Sequence, residues 1–324
     1  MTISNKDVFE LAEKFDFDLV GFAKADALKE EIVHLNEWLG KNYHASMKYM
    51  EKNIEKRADV RKILPGAASV ISLGMNYYKD EELYAEKGIG KVSRYAWGRD
   101  YHYVIWEKLD EFVEELKKID PEFEAKTYVD TGPVMDKAWA VRSGIGWLGK
   151  HTNVINREMG SWFFIANIIT NFEFEYDQPI ADFCGACTAC IDACPTKAIV
   201  DEYVVDSNKC ISFLTIENKE DKIPSKFENQ FNDWIFGCDI CQDVCPWNNK
   251  FSKPTSVKDF DPKNKIIDFE DIFTMTNRSF KEVFSDSPLS RAKLKGMKRN
   301  AEFLKRETSG FAKTTTPRQG RSGK

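Results

Sequence analysis

The sequence predicts an α+β protein: an N-terminal α/β domain, a compact cysteine-rich domain behind it, and a short helical, basic C-terminal segment. Three observations predict it. Over residues 1–175, short β-branched and aromatic runs alternate with stretches whose apolar residues recur every three or four positions. All eight cysteines fall between Cys184 and Cys245. The 74 residues after Lys250 hold short helical patterns and then turn basic and polar.

The elements follow in order. Residues 4–15 read as a helix, with Ser4 and Asp7 suited to its N-terminus and Val8, Leu11, Ala12 and Phe15 on one face. Asp18 to Ala23 reads as a strand, and Ile32 to Met50 as a second helix. Pro65-Gly66 breaks the chain before a short buried strand, Ser69 to Leu73. Tyr101 to Ile119 is strongly amphipathic through Leu109, Phe112, Val113 and Leu116. Lys126 to Val129 reads as a strand, Val134 to Arg142 as a helix and Trp162 to Thr170 as a strand. This alternation fits an α/β or an α+β arrangement. The expected domains are 1–175, a cysteine domain at 176–250, a helical region at 251–307 and a disordered basic tail at 308–324.

Composition narrows the class. The 324 residues are 42% hydrophobic and 13% aromatic, which suffices for two modest domains with a large core. A net charge of −5 argues against a protein that merely coats nucleic acid, but leaves room for a local basic face. From Arg291 to Lys324 there are eleven Lys or Arg against two Glu: either a solvated tail or a phosphate-contacting segment. Met1 to Asp7 lacks the basic-then-apolar order of a signal peptide. The longest apolar run, Trp162 to Thr170, is interrupted by Asn167 and is too short to span a bilayer. A soluble, cytoplasmic protein without membrane attachment is expected, and there eight clustered cysteines do not read as disulfides.

The cysteine spacing carries the first chemistry. Cys184-x2-Cys187-x2-Cys190-x3-Cys194-Pro195 has the bacterial ferredoxin pattern, in which the fourth cysteine serves the other of two 4Fe–4S clusters. Cys238-x2-Cys241-x3-Cys245-Pro246 repeats it imperfectly, with Cys210 between the runs. Two-residue gaps turn successive thiolates inward around one cubane, and the three-residue gap with its proline turns the chain toward the second. Crossed sharing assigns Cys184, Cys187, Cys190 and Cys245 to one cluster and Cys194, Cys210, Cys238 and Cys241 to the other. Structural zinc is the alternative for CxxC pairs. All four histidines lie upstream of the cysteines, which leaves zinc no histidine partner there.

Clusters carry electrons without saying what is reduced, so the front domain must hold the chemistry. Asp130 sits in Val129-Asp130-Thr131-Gly132-Pro133, between a predicted strand and a predicted helix. It suits either a catalytic group at a strand end or a helix cap. Gly144, Gly146 and Gly149 could let backbone approach a large flat ligand, or could form a plain turn. His151 alone reads as a structural histidine.

Taken together, RYAWGRDYH at 94–102, VDTGP at 129–133, GIGWLGKHTN at 144–153, CGACTACIDACPTKAI at 184–199, CISFLTIE at 210–217 and GCDICQDVCPWN at 237–248 resemble the epoxyqueuosine reductases. That resemblance covers residues 1–250, with a weaker echo at Leu294 to Phe303. It implies an N-terminal cobalamin-binding domain with the cobalt near the first cluster. It also implies reduction of epoxyqueuosine in a tRNA anticodon loop to queuosine, and an external low-potential electron donor of flavodoxin or ferredoxin type. It places the proton donor on Asp130, as an acid made effective by burial, and cobalamin or substrate surroundings on Arg57, Ser93, Asp130, Lys150 and Ser212. Asp100-x-His102 lacks the following glycine of cobalt-ligating histidine motifs, so cobalamin is expected with its own base detached and no histidine in its place. Some family members add a helical-repeat domain, which 74 residues are too few to form. A monomer is expected. The alternatives are a reductive dehalogenase, which also joins cobalamin to two clusters, and a simple electron carrier, which would not need so large a front domain.

Overall fold

The computed structural model describes residues 3–84 and 86–310, with side chains described as far as Arg306. The front half contains helices α1 (Asn5–Lys14), α2 (Lys29–Gly40), α3 (Ile54–Ala58), α4 (Tyr101–Ile119) and α5 (Asp136–Arg142). Its strands are β1 (Leu19–Lys24), β2 (Ser69–Asn76), β3 (Ile89–Val92), β4 (Ala125–Tyr128), β5 (Trp147–Leu148), β6 (Val154–Ile155) and β7 (Phe163–Thr170).

Four of these form the main sheet, in the order β1-β2-β7-β4, and every neighbouring pair is antiparallel. Of the two arrangements that the alternation allowed, the front half is therefore α+β. Side chains alternate between the faces of a strand. Ile71, Leu73 and Met75 of β2 and Ala166 and Ile168 of β7 face one way, onto Val8 and Ala12 of α1 and Leu109, Phe112 and Leu116 of α4. Val70 and Ile169 face the other way, onto Leu28, Val60 and Trp139. Each fully buried Leu or Phe contributes roughly 1.5–3 kcal/mol. The apolar stripe of α4 thus pins the helix to the sheet and fixes Tyr101 at its N-terminus.

Local signals account for the ends. Ser4 and Asp7 form the reciprocal capping box of α1. The helix expected to run to Met50 stops at Gly40, because Asn42 and Ala45 take left-handed conformations (φ 56° and 53°) and turn the chain into a short 3-10 turn at Lys48–Glu51.

Behind the front half come α6 (Ala189–Ala193), the hairpin β8 (Ile199–Asp201) and β9 (Val204–Val205), β10 (Trp234–Phe236), α7 (Ile240–Asp243) and α8 (Pro246–Phe251). The chain ends with β11 (Ile266–Asp268), α9 (Phe269–Thr274), α10 (Asn277–Phe284) and α11 (Lys293–Gly310). β3 lies between β10, parallel to it, and β11, antiparallel to it. The region expected at 251–307 is thus not a separate appendage: it shares one core with residues 92–97 and with the 211–236 segment.

The C-terminal helix spends much of its charge internally. Arg299 is buried and donates to the carbonyls of Leu214, Asn218 and Glu220. Arg291 pairs with Glu217, Lys295 with Asp221 and Lys305 with Glu270, while Lys298 donates to the Met275 carbonyl. The basic count of that segment therefore overstates the charge free to meet phosphate. α11 continues to Gly310 and so takes in the first three residues of the expected tail, and residues 311–324 lie outside the described residues.

Candidate active site

Asp130 follows β4 in a left-handed conformation, φ 49°. α5 begins only at Asp136, with Met135 before it and no side-chain cap, so Asp130 is not the cap of that helix. Its carboxylate instead accepts a 2.7 Å hydrogen bond from the Tyr101 hydroxyl. Tyr101 lies flat on Phe164, rings 4.2 Å apart and 5° from parallel, and stacks on His102 at 4.1 Å. Asp100 caps α4 by accepting from the His102 amide at 3.0 Å, and its carboxylate also meets His102 Nδ1 at 2.8 Å. The segment at 94–102 therefore acts through Tyr101. Contrary to the expectation of a buried acid, the Asp130 side chain is exposed.

Burial acts instead on its neighbour. Asp136 has its carboxyl pushed up to about 7, first by burial and then by the Asp130 charge. Lys137 has its ammonium pKa lowered by burial, against the pull of Asp130, Cys241, Cys210 and Asp136. Yet both side chains touch solvent. Both lie within reach of the Asp130 charge, at the exposed start of α5. Arg57 joins them from α3: it is buried, its pKa is lowered by desolvation and raised by Asp136, and its guanidinium donates to the carbonyls of Tyr49 and Lys52. Tyr95 is pushed well up by burial and then by the Asp130, Asp100 and Asp239 charges, so it lies between the Asp130 loop and the last cysteine run. Tyr49 is raised to about 12 by burial and by Glu217, with Asp130 among the further contributors.

All eight cysteines are free thiols. Burial is the largest influence on each raised thiol, and the cysteines that act on one another fall into two sets. Cys190 feels Cys184, Cys245 and Cys187, and Cys245 feels Cys187. Cys210 feels Cys194; Cys238 feels Cys241 and Cys210; Cys241 feels Cys210, Cys194 and, more weakly, Cys190. These are the two quartets that crossed sharing implies. Cys187 is exposed, so the first quartet reaches the surface. Cys241 and Cys210 of the second set lie within reach of Lys137.

Ser93 and Lys150 hold cysteine loops. The buried Ser93 hydroxyl donates to Asp239, between Cys238 and Cys241, and Arg94 donates to Asp239 at 2.9 Å through its amide and to Asp243 at 2.6 Å through its guanidinium. Gly237 (φ 70°) is required there, since a Cβ would stand 2.4 Å from that of Ser93. Lys150 Nζ donates to the Gly185 carbonyl at 2.6 Å and pairs with Glu202. Ser212 follows Cys210, and its amide and that of Phe213 donate to the Cys210 sulfur; a π-helical turn, Phe213–Glu217, comes next. Gly144, Gly146 and Gly149 serve close packing rather than ligand approach: a Cβ on them would meet Gln178 O, Ile155 O and Ile155 Cδ1 at 2.7, 2.5 and 2.6 Å. His151 Nδ1 accepts from the Asn153 amide at 3.2 Å, and its buried Nε2 has no partner. Burial and the Lys137 charge lower its pKa to about 4, so the ring is neutral and carries its proton on Nε2.

Residues 57–131 match the family model described as epoxyqueuosine reductase QueG, DUF1730, and residues 183–248 match the 4Fe-4S double cluster binding domain. An epoxyqueuosine reductase of Leadbetterella byssophila is 49% identical over 301 residues, covering 93% of this chain and 98% of that protein. The chain belongs to the epoxyqueuosine reductase family. A Synechocystis member is 44% identical over 275 residues, covering 84% of this chain and 94% of its own length. Among solved structures, an epoxyqueuosine reductase with an epoxyqueuosine-modified tRNA-Tyr stem loop superposes with a TM-score of 0.86 at 34% identity, covering 92% of this chain and 80% of the other. The Bacillus subtilis epoxyqueuosine reductase, described with its catalytic aspartate loop swung out of the active site, gives a TM-score of 0.86 at 31% identity over 97% of this chain and 86% of its own. The 183–248 match spans all eight cysteines, so this epoxyqueuosine reductase family member carries the double-cluster domain. Among the described residues no helix is long and apolar enough to cross a membrane.

Proposed function

We propose that this chain removes the epoxide oxygen of epoxyqueuosine in a tRNA anticodon loop, giving queuosine and water, with two 4Fe–4S clusters and cobalamin as cofactors. The observation that carries this reading is the placement of Asp130. A carboxylate on a left-handed turn is held by a buried tyrosine, near Lys137, which the second cysteine quartet also reaches.

In this reading the eight cysteines bind the clusters as the two quartets. Clusters held by these quartets would supply electrons from a flavodoxin- or ferredoxin-type donor, and the quartet containing exposed Cys187 is the one such a donor could reach. Cobalamin, when bound, delivers those electrons to the epoxide carbon. One group present suits such a ligand: the His151 Nε2–H, within reach of the Lys137 charge, is a buried donor with no protein partner. Arg57, Ser212 and His151 would hold the cofactor, with Ser93 and Lys150 acting through the cysteine loops they fasten. Breaking an epoxide C–O bond leaves an alkoxide, which departs readily only once protonated. Asp130 supplies that proton as a general acid. The modified base must leave its stack to reach Asp130, as enzymes acting on bases require. The protein is taken to work as a cytoplasmic monomer, where tRNA is found.

The test is direct. Anaerobically reconstituted protein, pre-reduced and loaded with cobalamin, is given tRNA carrying epoxyqueuosine, and the nucleosides are analysed. Queuosine should replace epoxyqueuosine. Intact epoxyqueuosine after incubation with fully reduced, cobalamin-loaded protein would overturn the reading.

A further inference from the structure

Asp239 stands between Cys238 and Cys241 of the second quartet and is 1% exposed. A 4Fe–4S cubane on four thiolates is itself anionic, so a buried carboxylate on its loop is costly unless something compensates it. The compensation comes from the front half of the chain. The Ser93 hydroxyl donates to Asp239 Oδ1. Arg94 donates to Oδ2 twice, through its amide at 2.9 Å and its guanidinium at 3.1 Å. Three donors on one carboxyl favour its ionised form. The same guanidinium nitrogen reaches Asp243 Oδ1 at 2.6 Å, so one cation serves two carboxylates of the loop.

The guanidinium is held in place by rings. Its centre lies 5.0 Å from that of Trp162, 5.4 Å from Trp97 and 5.9 Å from Tyr78. Cation–π contacts strengthen as water is withdrawn.

A second clamp on the same loop shows what fastening alone requires. Ser161 donates its amide to Asn248 Oδ1 at 2.6 Å, and its carbonyl and hydroxyl accept from Gln242 Nε2 at 3.1 and 3.0 Å. All three side chains are buried, and none is charged. Neutral groups thus suffice to tie the loop to the front half, yet at Asp239 the chain buries a carboxylate and brings a cation to it. That ion pair adds to the fastening a fixed field beside the cysteines.

We propose that Arg94 and Asp239 set the reduction potential of the cluster on the second quartet, Arg94 raising it and Asp239 lowering it. Reduction adds one negative charge to the cluster, which a neighbouring cation stabilises and a neighbouring carboxylate opposes. Neither residue is a cluster ligand; both act on the cluster through their charge. The inference rests on the two-cluster part of the proposed function and needs no turnover for its test.

The experiment is a dye-mediated redox titration of reconstituted protein, followed by electron paramagnetic resonance at one pH. The wave missing from Cys210→Ala identifies the second cluster, and the other wave serves as internal reference. Arg94→Met should move the second wave to lower potential by at least about 59 mV, a tenfold change in the reduced-to-oxidised ratio for one electron. Asp239→Asn, which keeps an acceptor for Ser93, should move it the opposite way. Arg94→Lys keeps the charge and should stay nearer wild type than Arg94→Met. Should Arg94→Met lose iron, the sign of the Asp239→Asn shift decides. An unmoved second wave in the variants, or shifts of the same sign from Arg94→Met and Asp239→Asn, would overturn the proposal, since a merely structural role gives no opposite pair. A single wave in wild type would overturn the two-cluster reading, and this assignment with it.

Discussion

Tyr101 donates a 2.7 Å hydrogen bond to Asp130, joining the first residue of α4 to a loop 29 residues further along the chain. The tyrosine cannot readily move, since its ring is packed on Phe164 and the apolar stripe of α4 is buried against the sheet. The packed start of α4 therefore grips the exposed Asp130 loop through one phenol. In the Bacillus subtilis relative the catalytic aspartate loop is described as swung out of the active site.

Asp130→Asn should keep fold and clusters, because no helix cap is lost with it. Its single-turnover rate with pre-reduced enzyme should fall by roughly a hundredfold to ten-thousandfold, the loss expected for a positioned acid. A wild-type rate would remove Asp130 from the mechanism and turn attention to Tyr101 and His102.

Tyr101→Phe keeps the ring stack and removes only the donor. A hydrogen bond to a charged group contributes about 1.5–3 kcal/mol, so the single-turnover rate should fall about tenfold to a hundredfold. If the rate were unchanged while Asp130→Asn was inactive, the phenol would not be what positions the acid.

Reconstituted wild type should hold about eight irons, two cubanes of four. Cys210→Ala should lose the clusterside thiol seen by Cys194, Cys238 and Cys241 and retain about four irons. Zinc in the purified wild type, or loss of all iron in the variant, would break the two-quartet assignment.

Truncation after Gly310 spares α11 and removes Lys313, Arg318, Arg321 and Lys324. If all four meet phosphates, the slope of log binding constant against log salt for tRNA should become shallower by up to about 3. Equal slopes for both forms would make the segment a solvated tail.

Arg299→Met should destabilise the holoprotein by at least about 3 kcal/mol, because three carbonyls and the Asn300 side chain lose a buried donor. The π-helical turn after Cys210 is among the parts it holds, through the Leu214 carbonyl. Thermal unfolding followed at the cluster absorbance would read this loss, and an unchanged midpoint would show the donors to be dispensable.

By itself, the sequence determined whatever depends on near neighbours along the chain. The heptad-like stripe of Tyr101 to Ile119 matches α4 residue for residue, and the capping pair Ser4 and Asp7 stands where the helix begins. The gathering of the cysteines was legible in the same way, since a two-residue gap turns thiols inward however the rest folds. Tertiary structure decided what depends on distant partners. Only the pairing of β2 with β7 puts Ser72 beside Asn167, and only the packing of α5 on that face brings Asp136 to the amide. An interruption in an apolar strand thus became the seat of a carboxyl, with nothing in the local pattern to say so. Likewise Ser93 and Lys150 turned to cysteine loops 146 and 35 residues away, and Arg299 and Lys305 of α11 found partners within the protein. Residues 57, 95, 101, 130, 136 and 210 come from separate elements, and their mutual influence is a property of how the sheet pairs and buries its faces.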